Sequence, residues 1–443
     1  MLYTDKARLR TISGLAFPIV GGMMSQNVLN LVDTAMVGTL GDAALDATGT
    51  GGFMNFVAIA SVMGLSAGVQ AMASRRVGEG RIKQAALPLN AGLILGVAVG
   101  VPMSVLFFQI APVLFKYTTP DVAVVAAGVP YLQARVCALG AAGMNFAYRG
   151  YWNGVSKPGI YFRTLLFMHA LNILLNWVFI FGNWGAPALG TEGAGLASAL
   201  STVFGTVLYS IQAFYLARGN GFLAAIPSVS RFTTLTKLAA PIALQQMLFA
   251  AGFTFLFVIL NRVGTSEAAA ASVMLNLLLL AVLPGLALGF AAATLVGQAL
   301  GREDPDDAQR WGWEVAQVAF VSLCLVGAIL VIFPDALLGI FLHNPETLAI
   351  AKPPLRLAGA LIGIDGIGLV LLHAIMGAGA TRLSMLVTVS LQWGLFLPVA
   401  YLIGPVLGYG LFGIWAAHVS YRALQAGVFV WVWKSKRWVG ISV

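Results

Sequence analysis

Of the sixteen acidic residues in this 443-residue chain, only Asp33 and Asp365 lie well inside long apolar stretches. A charge at membrane depth costs at least ~2.5 kcal/mol even on the gentlest scales, so a carboxyl in such a setting needs a reason. Lacking a fixed cationic partner, it could take up and release a proton near neutral pH, which makes Asp33 the first candidate for a coupling group. The plainer alternative is a carboxyl that is permanently hydrogen-bonded and only locks its helix. Depth counting brings further polar groups to the same level: Asn172 and Asn176, four apart and on one helical face, with Ser198 and Tyr131. A carboxylate, two amides, a hydroxyl and a phenol from four segments would hold a proton-linked network or a small cation. Taken singly, each is almost as well explained by interhelical hydrogen bonding, at ~0.6 kcal/mol per pair in membranes.

The elements that must position these groups follow from composition. Hydrophobic residues make up 59% of the chain, charged residues 9%, and mean hydropathy is +0.89, far too apolar for a soluble surface. Hydrocarbon roughly 30 Å thick needs about 20 helical residues to cross it. Twelve stretches of that length or a little more lie near 14–39, 47–73, 88–115, 122–148, 160–182, 191–217, 237–261, 268–299, 311–334, 355–376, 383–404 and 409–433. Alternating segments of about ten residues, the mark of a membrane barrel, do not occur. The expected fold class is an all-α integral membrane protein of 12 transmembrane helices.

Charge placement orients the bundle. With the N-terminus inside, nineteen of the 25 basic residues fall on the cytoplasmic side, from Lys6, Arg8 and Arg10 to Lys434, Lys436 and Arg437. The opposite side receives only Lys116, Arg262, Lys352 and Arg356. This bias predicts a multi-pass protein of the cytoplasmic (inner) membrane with both termini cytoplasmic. The net charge of +9 is then topological, and the basic loops meet anionic headgroups of membrane lipids rather than nucleic acid. The start has no short apolar core followed by a small-residue cleavage site, so the first segment is expected to be retained.

The chain also repeats itself. Pro18, Gly41, Gly64, Gly68 and Gly80-Arg81 are answered by Pro241, Gly264, Gly285, Gly289 and Gly301-Arg302, with 63 residues from proline to arginine in one copy and 61 in the other. Each half holds six crossings, so the copies are parallel repeats about an axis along the membrane normal, an architecture usual for transporters. We expect an N-lobe at 1–217, a cytoplasmic inter-lobe linker at 218–236 and a C-lobe at 237–443. Cys137 and Cys324 fall in apolar segments of opposite halves and read as buried small hydrophobes. Neither a disulfide framework, a metal-ligand cluster nor a cofactor motif is present in the sequence.

Several of these runs carry a resemblance. Pro18 through Gly41, with Gln26 and NLVDTAMVGTLG around Asp33, resembles the first helix of the multidrug and toxic compound extrusion (MATE) family. Tyr131 to Pro158, with RGYWNGVSKP, is similar to its fourth helix and following loop; Asn172 to Asn176 and GTEGAGLASALS resemble its fifth and sixth. The similarity covers essentially the whole chain, and within the family it resembles the DinF branch. It implies a V-shaped, monomeric antiporter of two six-helix lobes, exporting small organic, often cationic or lipophilic compounds in exchange for H⁺, with Na⁺ as the other candidate ion. Carried over residue by residue, the cation/proton-coupling site falls on Asp33, Asn172, Asn176 and Ser198, with Gln26 and Tyr131 in the surrounding network. Where some relatives have a second carboxylate on the fifth helix this chain has Asn176, which weakens the case for a tightly held Na⁺. Asp365 stands where one branch places an acid on the tenth helix, so it is a possible second site, either coupling ions or bracing the C-lobe. Pro18 is a speculative gating position in the first helix.

Other polar residues rank lower. Arg135, one turn from Tyr131, is expected to partner carbonyls or a buried acid. His169, His373 and His418 lack metal spacing and read as packed, hydrogen-bonded rings. A flippase for lipid precursors would share the bundle but needs several cations in its spans, and only Arg135 and Arg422 qualify. A membrane enzyme of the zinc-hydrolase kind should show His-Glu-x-x-His, and that motif does not occur.

Overall fold

The computed structural model describes residues 5–441, and among them every regular element is helical. In chain order these are α1 (Lys6–Gly38), α2 (Asp42–Gly78), α3 (Leu87–Thr118), α4 (Val122–Val136), α5 (Leu139–Gly154), α6 (Pro158–Phe181) and α7 (Thr191–Leu216). They continue with α8 (Val229–Val263), α9 (Thr265–Ala281), α10 (Leu283–Gly301), α11 (Pro305–Ile332), α12 (Pro334–Gly339) and α13 (Pro345–Gly377). The last are α14 (Thr381–Leu391), α15 (Leu397–Tyr401) and α16 (Gly410–Lys434), with π-helical turns at Gln392–Phe396 and Leu402–Val406 on either side of α15. All twelve expected segments are present. Several run past their apolar core, α13 beginning at Pro345 and α1 at Lys6, because a helix continues through the headgroup zone after its hydrophobic stretch has ended.

Two expected spans are broken. The fourth bends by 50° between α4 and α5, and the eighth divides into α9 and α10. Pro284 accounts for the second break, since it has no N–H for the preceding turn and fits the first turn of a new helix. At the first break Cys137 caps α4 and is exposed, its thiol bonded to the Gln133 carbonyl at 3.2 Å. Its expected burial is therefore corrected, and Cys324 is only partly buried.

Contacts divide the chain into two compact units that cut across the sequence halves. One contains residues 21–246; the other joins residues 1–20 to 247–443. The boundaries fall inside α1 and inside α8, so each unit holds the opening stretch of the other half's first helix. The stretch expected as a linker, 218–236, is helical from Val229, and Leu235 within it is fully buried. Pro18 lies inside the uninterrupted helix α1, just before its boundary.

With lipid tails as apolar as leucine, helices associate by close packing of small residues rather than by escaping water. In the unit of residues 21–246, α3 and α5 meet at Gly96 and Gly143, where a Cβ on either would come within 2.8 Å of the other's backbone. Met54, Phe115, Leu132 and Val136 fill a core beside this contact. In the other unit, Ile12, Leu15 and Ala16 of α1 pack among Leu288, Val296, Ala316, Val370 and Phe429. There the N-terminal end of α1 is also fixed by charge. Arg8 donates to Glu314 at 2.5 Å and to Asp307 at 2.7 Å, and lies 3.5 Å over the Trp311 ring. Glu314 is buried and also accepts from Arg310 at 2.8 Å.

Gly96→Val should therefore lower stability by about 1–3 kcal/mol through overpacking, whereas Gly159→Ala, where a methyl meets nothing within 4 Å, should leave the detergent melting temperature unchanged. Arg8→Gln should destabilise by about 2 kcal/mol, because it withdraws the less exposed of the two cations that answer buried Glu314. Melting in detergent checks both.

Candidate functional site

Asp33 is placed by one stripe of α1. Gly22, Gln26, Leu29, Asp33 and Val37 recur at helical spacing. At its start Gly21 and Gly22 let α1 lie close against α6: a Cβ on Gly21 would come within 3.0 Å of Phe162, and one on Gly22 within 3.3 Å of Leu165. α6 presents its own polar stripe, His169, Asn172 and Asn176, all buried. α7 packs on α6 and supplies Ser198 and Ser201, one turn apart.

These stripes meet in one hydrogen-bonded chain. Asn176 Nδ2 donates to Asp33 Oδ1 at 2.6 Å and to Asn172 Oδ1 at 3.2 Å, and Asn172 Nδ2 donates to Ser201 Oγ at 3.2 Å and Ser198 Oγ at 3.3 Å. Ser201 Oγ in turn donates to the Ser198 carbonyl at 3.1 Å. The Asn172 amide fits its surroundings in a second way. Turned end for end, its nitrogen lies 3.0 Å from Asp33 Oδ1, and its oxygen accepts from the hydroxyls of Ser201 at 3.2 Å and Ser198 at 3.3 Å. An ionised carboxylate only accepts hydrogen bonds, so the turned orientation suits anionic Asp33 by giving it two N–H donors. A protonated Asp33 has an O–H to give, and the other orientation offers it an amide oxygen.

Asp33 makes no ion pair among the described residues. Arg135 reaches it electrostatically while donating its own hydrogen bond to the Tyr131 hydroxyl one turn away. The expected partnership of Arg135 with a buried acid thus takes the form of a field rather than a bond. Tyr131 is buried against Gly51 of α2, where a Cβ would come within 2.7 Å of its ring, and bonds to Arg135 rather than to Asp33. Gln26 also stands one step removed: its carbonyl oxygen pairs with His169 Nε2 at 3.2 Å and its amide donates to Asn30 at 3.2 Å.

Asp33, Asn172, Asn176 and Ser198 are therefore brought together, with Tyr131 and Gln26 adjacent. Ser201 and His169 complete the cluster, and the sequence reading did not place them in it. Their signal was periodic, since 169, 172 and 176 share one face of α6, and 198 and 201 one face of α7.

Asp365 is in a different state. On α13 it forms an ion pair with Arg422 of α16, and Arg422 also donates to Gln425 Oε1 at 2.8 Å. The two charged side chains are 22% and 18% exposed, so both are largely withdrawn from their surroundings and answer one another. Among the histidines, His373 bonds the Leu369 carbonyl at 2.8 Å and His418 packs among Phe396, Trp415 and Tyr421, as packed rings should.

Comparison with known proteins adds the family. The MatE family model matches residues 18–178 and again 241–402, one match per repeat, so the chain belongs to the MATE family of membrane transporters and is not an enzyme. The probable multidrug resistance protein NorM of Neisseria meningitidis serogroup B is 26% identical over 437 residues, covering 96% of this chain and 93% of its own. The protein of the same name from Synechococcus sp. is 28% identical over 444 residues, covering 97% and 94%. Among solved structures, the outward-facing conformation of a multidrug resistance MATE family transporter superposes with a TM-score of 0.88 at 21% identity, covering 98% of this chain and 97% of that one. A MOP superfamily transporter from Pyrococcus furiosus matches with a TM-score of 0.88 at 20% identity, covering 98% and 96%. At these identities the structures speak to the fold, and with the apolar helices they make this a multi-pass membrane protein.

Asn176→Leu keeps the branched outline of the side chain but removes both N–H donations. It should shift the melting temperature by only a few degrees, since a membrane hydrogen bond contributes ~0.6 kcal/mol, while transport falls by about tenfold or more. Parallel melting and transport assays on the purified chain check this.

Proposed function

We propose that this chain is a proton-driven antiporter that exports organic, often cationic or lipophilic compounds across the cytoplasmic membrane, with both termini inside and one chain as the working unit. A single observation carries the coupling ion: Asp33 is the one carboxyl of its polar cluster, and a neutral amide rather than a guanidinium or ammonium donates to it. Hard cations such as Na⁺ favour several oxygens with matching negative charge, and with Asn176 in place of a second carboxylate only one is available. A proton needs one. The multidrug resistance names of the full-length relatives support the substrate class.

The cycle turns on competition. Anionic Asp33 draws N–H donors from α6 and favours an organic cation in the pathway. Protonation from outside removes the charge and reverses the hydrogen-bond demand on Asn172. The amide then turns, its link to Ser198 and Ser201 changes from accepting to donating, and the substrate loses its electrostatic partner. The proton must bind the outward-facing and inward-facing forms unequally, because a ligand shifts a conformational equilibrium only by its differential affinity. Asp365 serves the fold in this scheme, since Arg422 already answers it. The same two pairings weigh against a lipid-precursor flippase, whose phosphates would need unclaimed cations. Arg135 is directed to Tyr131 and Asp33, and Arg422 to Asp365.

In proteoliposomes an imposed pH gradient should drive uphill export of a fluorescent organic cation, and a Na⁺ gradient at constant pH should not. Asp33→Asn should fold normally and lose gradient-driven export by at least about tenfold. Asp365→Asn should instead lower stability, on the order of 2 kcal/mol, by leaving Arg422 without its acid. Intact proton-driven export in Asp33→Asn would overturn the mechanism, and export driven by Na⁺ alone would rename the ion.

A further inference from the structure

Outside the Asp33 cluster, one face of α11 changes character along its length in a way the transport reading does not use. At its cytoplasmic end a groove of about 650 Å³ is lined by Arg310, Trp313, Gln317 and Gln309 of α11 and by Lys434, the last residue of α16. Asp306 and Glu314 also line it, but both are matched to cations that do not: Lys436 bonds Asp306 at 2.6 Å, and Arg8 bonds Glu314 at 2.5 Å. Arg310 engages Glu314 through Nε alone, at 2.8 Å, which leaves the outer edge of its guanidinium turned away from that bond. Among the described residues no carboxylate pairs with Lys434. The groove and the ion pairs that adjoin it hold five cations, Arg8, Arg302, Arg310, Lys434 and Lys436, against three acids, Asp306, Asp307 and Glu314, so positive charge is in excess there.

The same helical stripe continues beyond the groove as Val321, Leu325, Ala328 and Ile332, all exposed. Arg310, Trp313, Gln317, Val321, Leu325, Ala328 and Ile332 follow one another at steps of three or four, so polar floor and apolar wall form a single track. An inorganic anion would use only the first part of this track. A molecule with an anionic head and hydrocarbon tails uses all of it.

We propose that this groove is a binding site for the headgroup of an anionic phospholipid. The phosphodiester lies between the Arg310 guanidinium and the Lys434 ammonium, and the amides of Gln309 and Gln317 donate to headgroup hydroxyls or ester carbonyls. Trp313 stands at the headgroup level where its amphipathic ring is favoured, and an acyl chain runs along Val321 to Ile332. Juxtamembrane Lys and Arg attract acidic lipid in general, but here two cations line one groove that continues into an exposed apolar track. The site is independent of the proton-coupling reading and stands or falls separately from it.

The test uses the full chain purified in detergent, with native mass spectrometry and thermal melting in the presence of phosphatidylglycerol, phosphatidylethanolamine, phosphatidylcholine or inorganic phosphate. The wild type should retain phosphatidylglycerol over phosphatidylcholine by about tenfold or more and melt at a higher temperature with it, as two interfacial cations allow. Arg310→Gln/Lys434→Gln should lose that preference, while Lys83→Gln, an exposed cation elsewhere on the same side, should keep it. Should the double variant not fold, Lys434→Gln alone, at the exposed end of α16, should reduce the preference by about threefold. Undiminished preference in a folded Lys434→Gln or double variant overturns the proposal. So does equal retention of phosphatidylethanolamine, or displacement of the lipid by inorganic phosphate.

Discussion

A partly buried carboxyl set among apolar helices depends on donors from its own protein for much of whatever charge it carries. The contact between Asn176 and Asp33, at 2.6 Å, is that answer, and much of the surrounding architecture is arranged to deliver it. Glycines on α1 allow the approach to α6, helical periodicity on α6 lines up two amides and an imidazole, and α7 contributes hydroxyls behind them. Neutral donors leave the acid free to change its protonation state, which a fixed guanidinium in contact would oppose. The C-terminal half provides the contrast within one chain. There Arg422 contacts Asp365 directly, and the two charges answer one another.

The electrostatics around the start of α1 follow a different logic. Arg8, Asp307, Glu314, Arg302 and Arg310 form a network rather than isolated pairs, with the Trp311 ring beneath Arg8 and its indole N–H on Asp307 at 3.0 Å. Exposed ion pairs contribute little by themselves, but a buried carboxylate held by two cations is costly to leave unanswered. In the equivalent stretch of α8, Leu235 and Ala239 pack closely against Gly68 and Gly64 of α2.

Much of this was legible in the sequence, and the reasons are physical. Twelve apolar runs and the spacing of Pro18 and Pro241 within two copies gave the helical bundle, because in lipid a spanning chain has few options. Asp33, Asn172, Asn176 and Ser198 could be grouped by depth alone, since rise per residue is fixed at 1.5 Å. What depth cannot give is azimuth. Tyr131 shares the level of the cluster yet bonds to Arg135, and Ser201 turns inward where the reading had stopped at Ser198. The pairing of Asp365 with Arg422 joins residues 57 positions apart on helices whose facing sides no pattern declares. Breaks between α4 and α5 and between α9 and α10 were hidden because hydropathy averages across them, and Cys137 is exposed at the first of these. The crossing of the unit boundaries within α1 and α8 was equally invisible, since repeats mark where helices begin and not where they pack.

α1 is 33 residues of unbroken helix, about 50 Å of backbone at 1.5 Å per residue, with Arg8 clamped near one end and Asp33 near the other. No loop intervenes to absorb slack. Arg8 and Asp33 therefore ride on one helical shaft, and the backbone donor that this shaft lacks, at Pro18, falls between them.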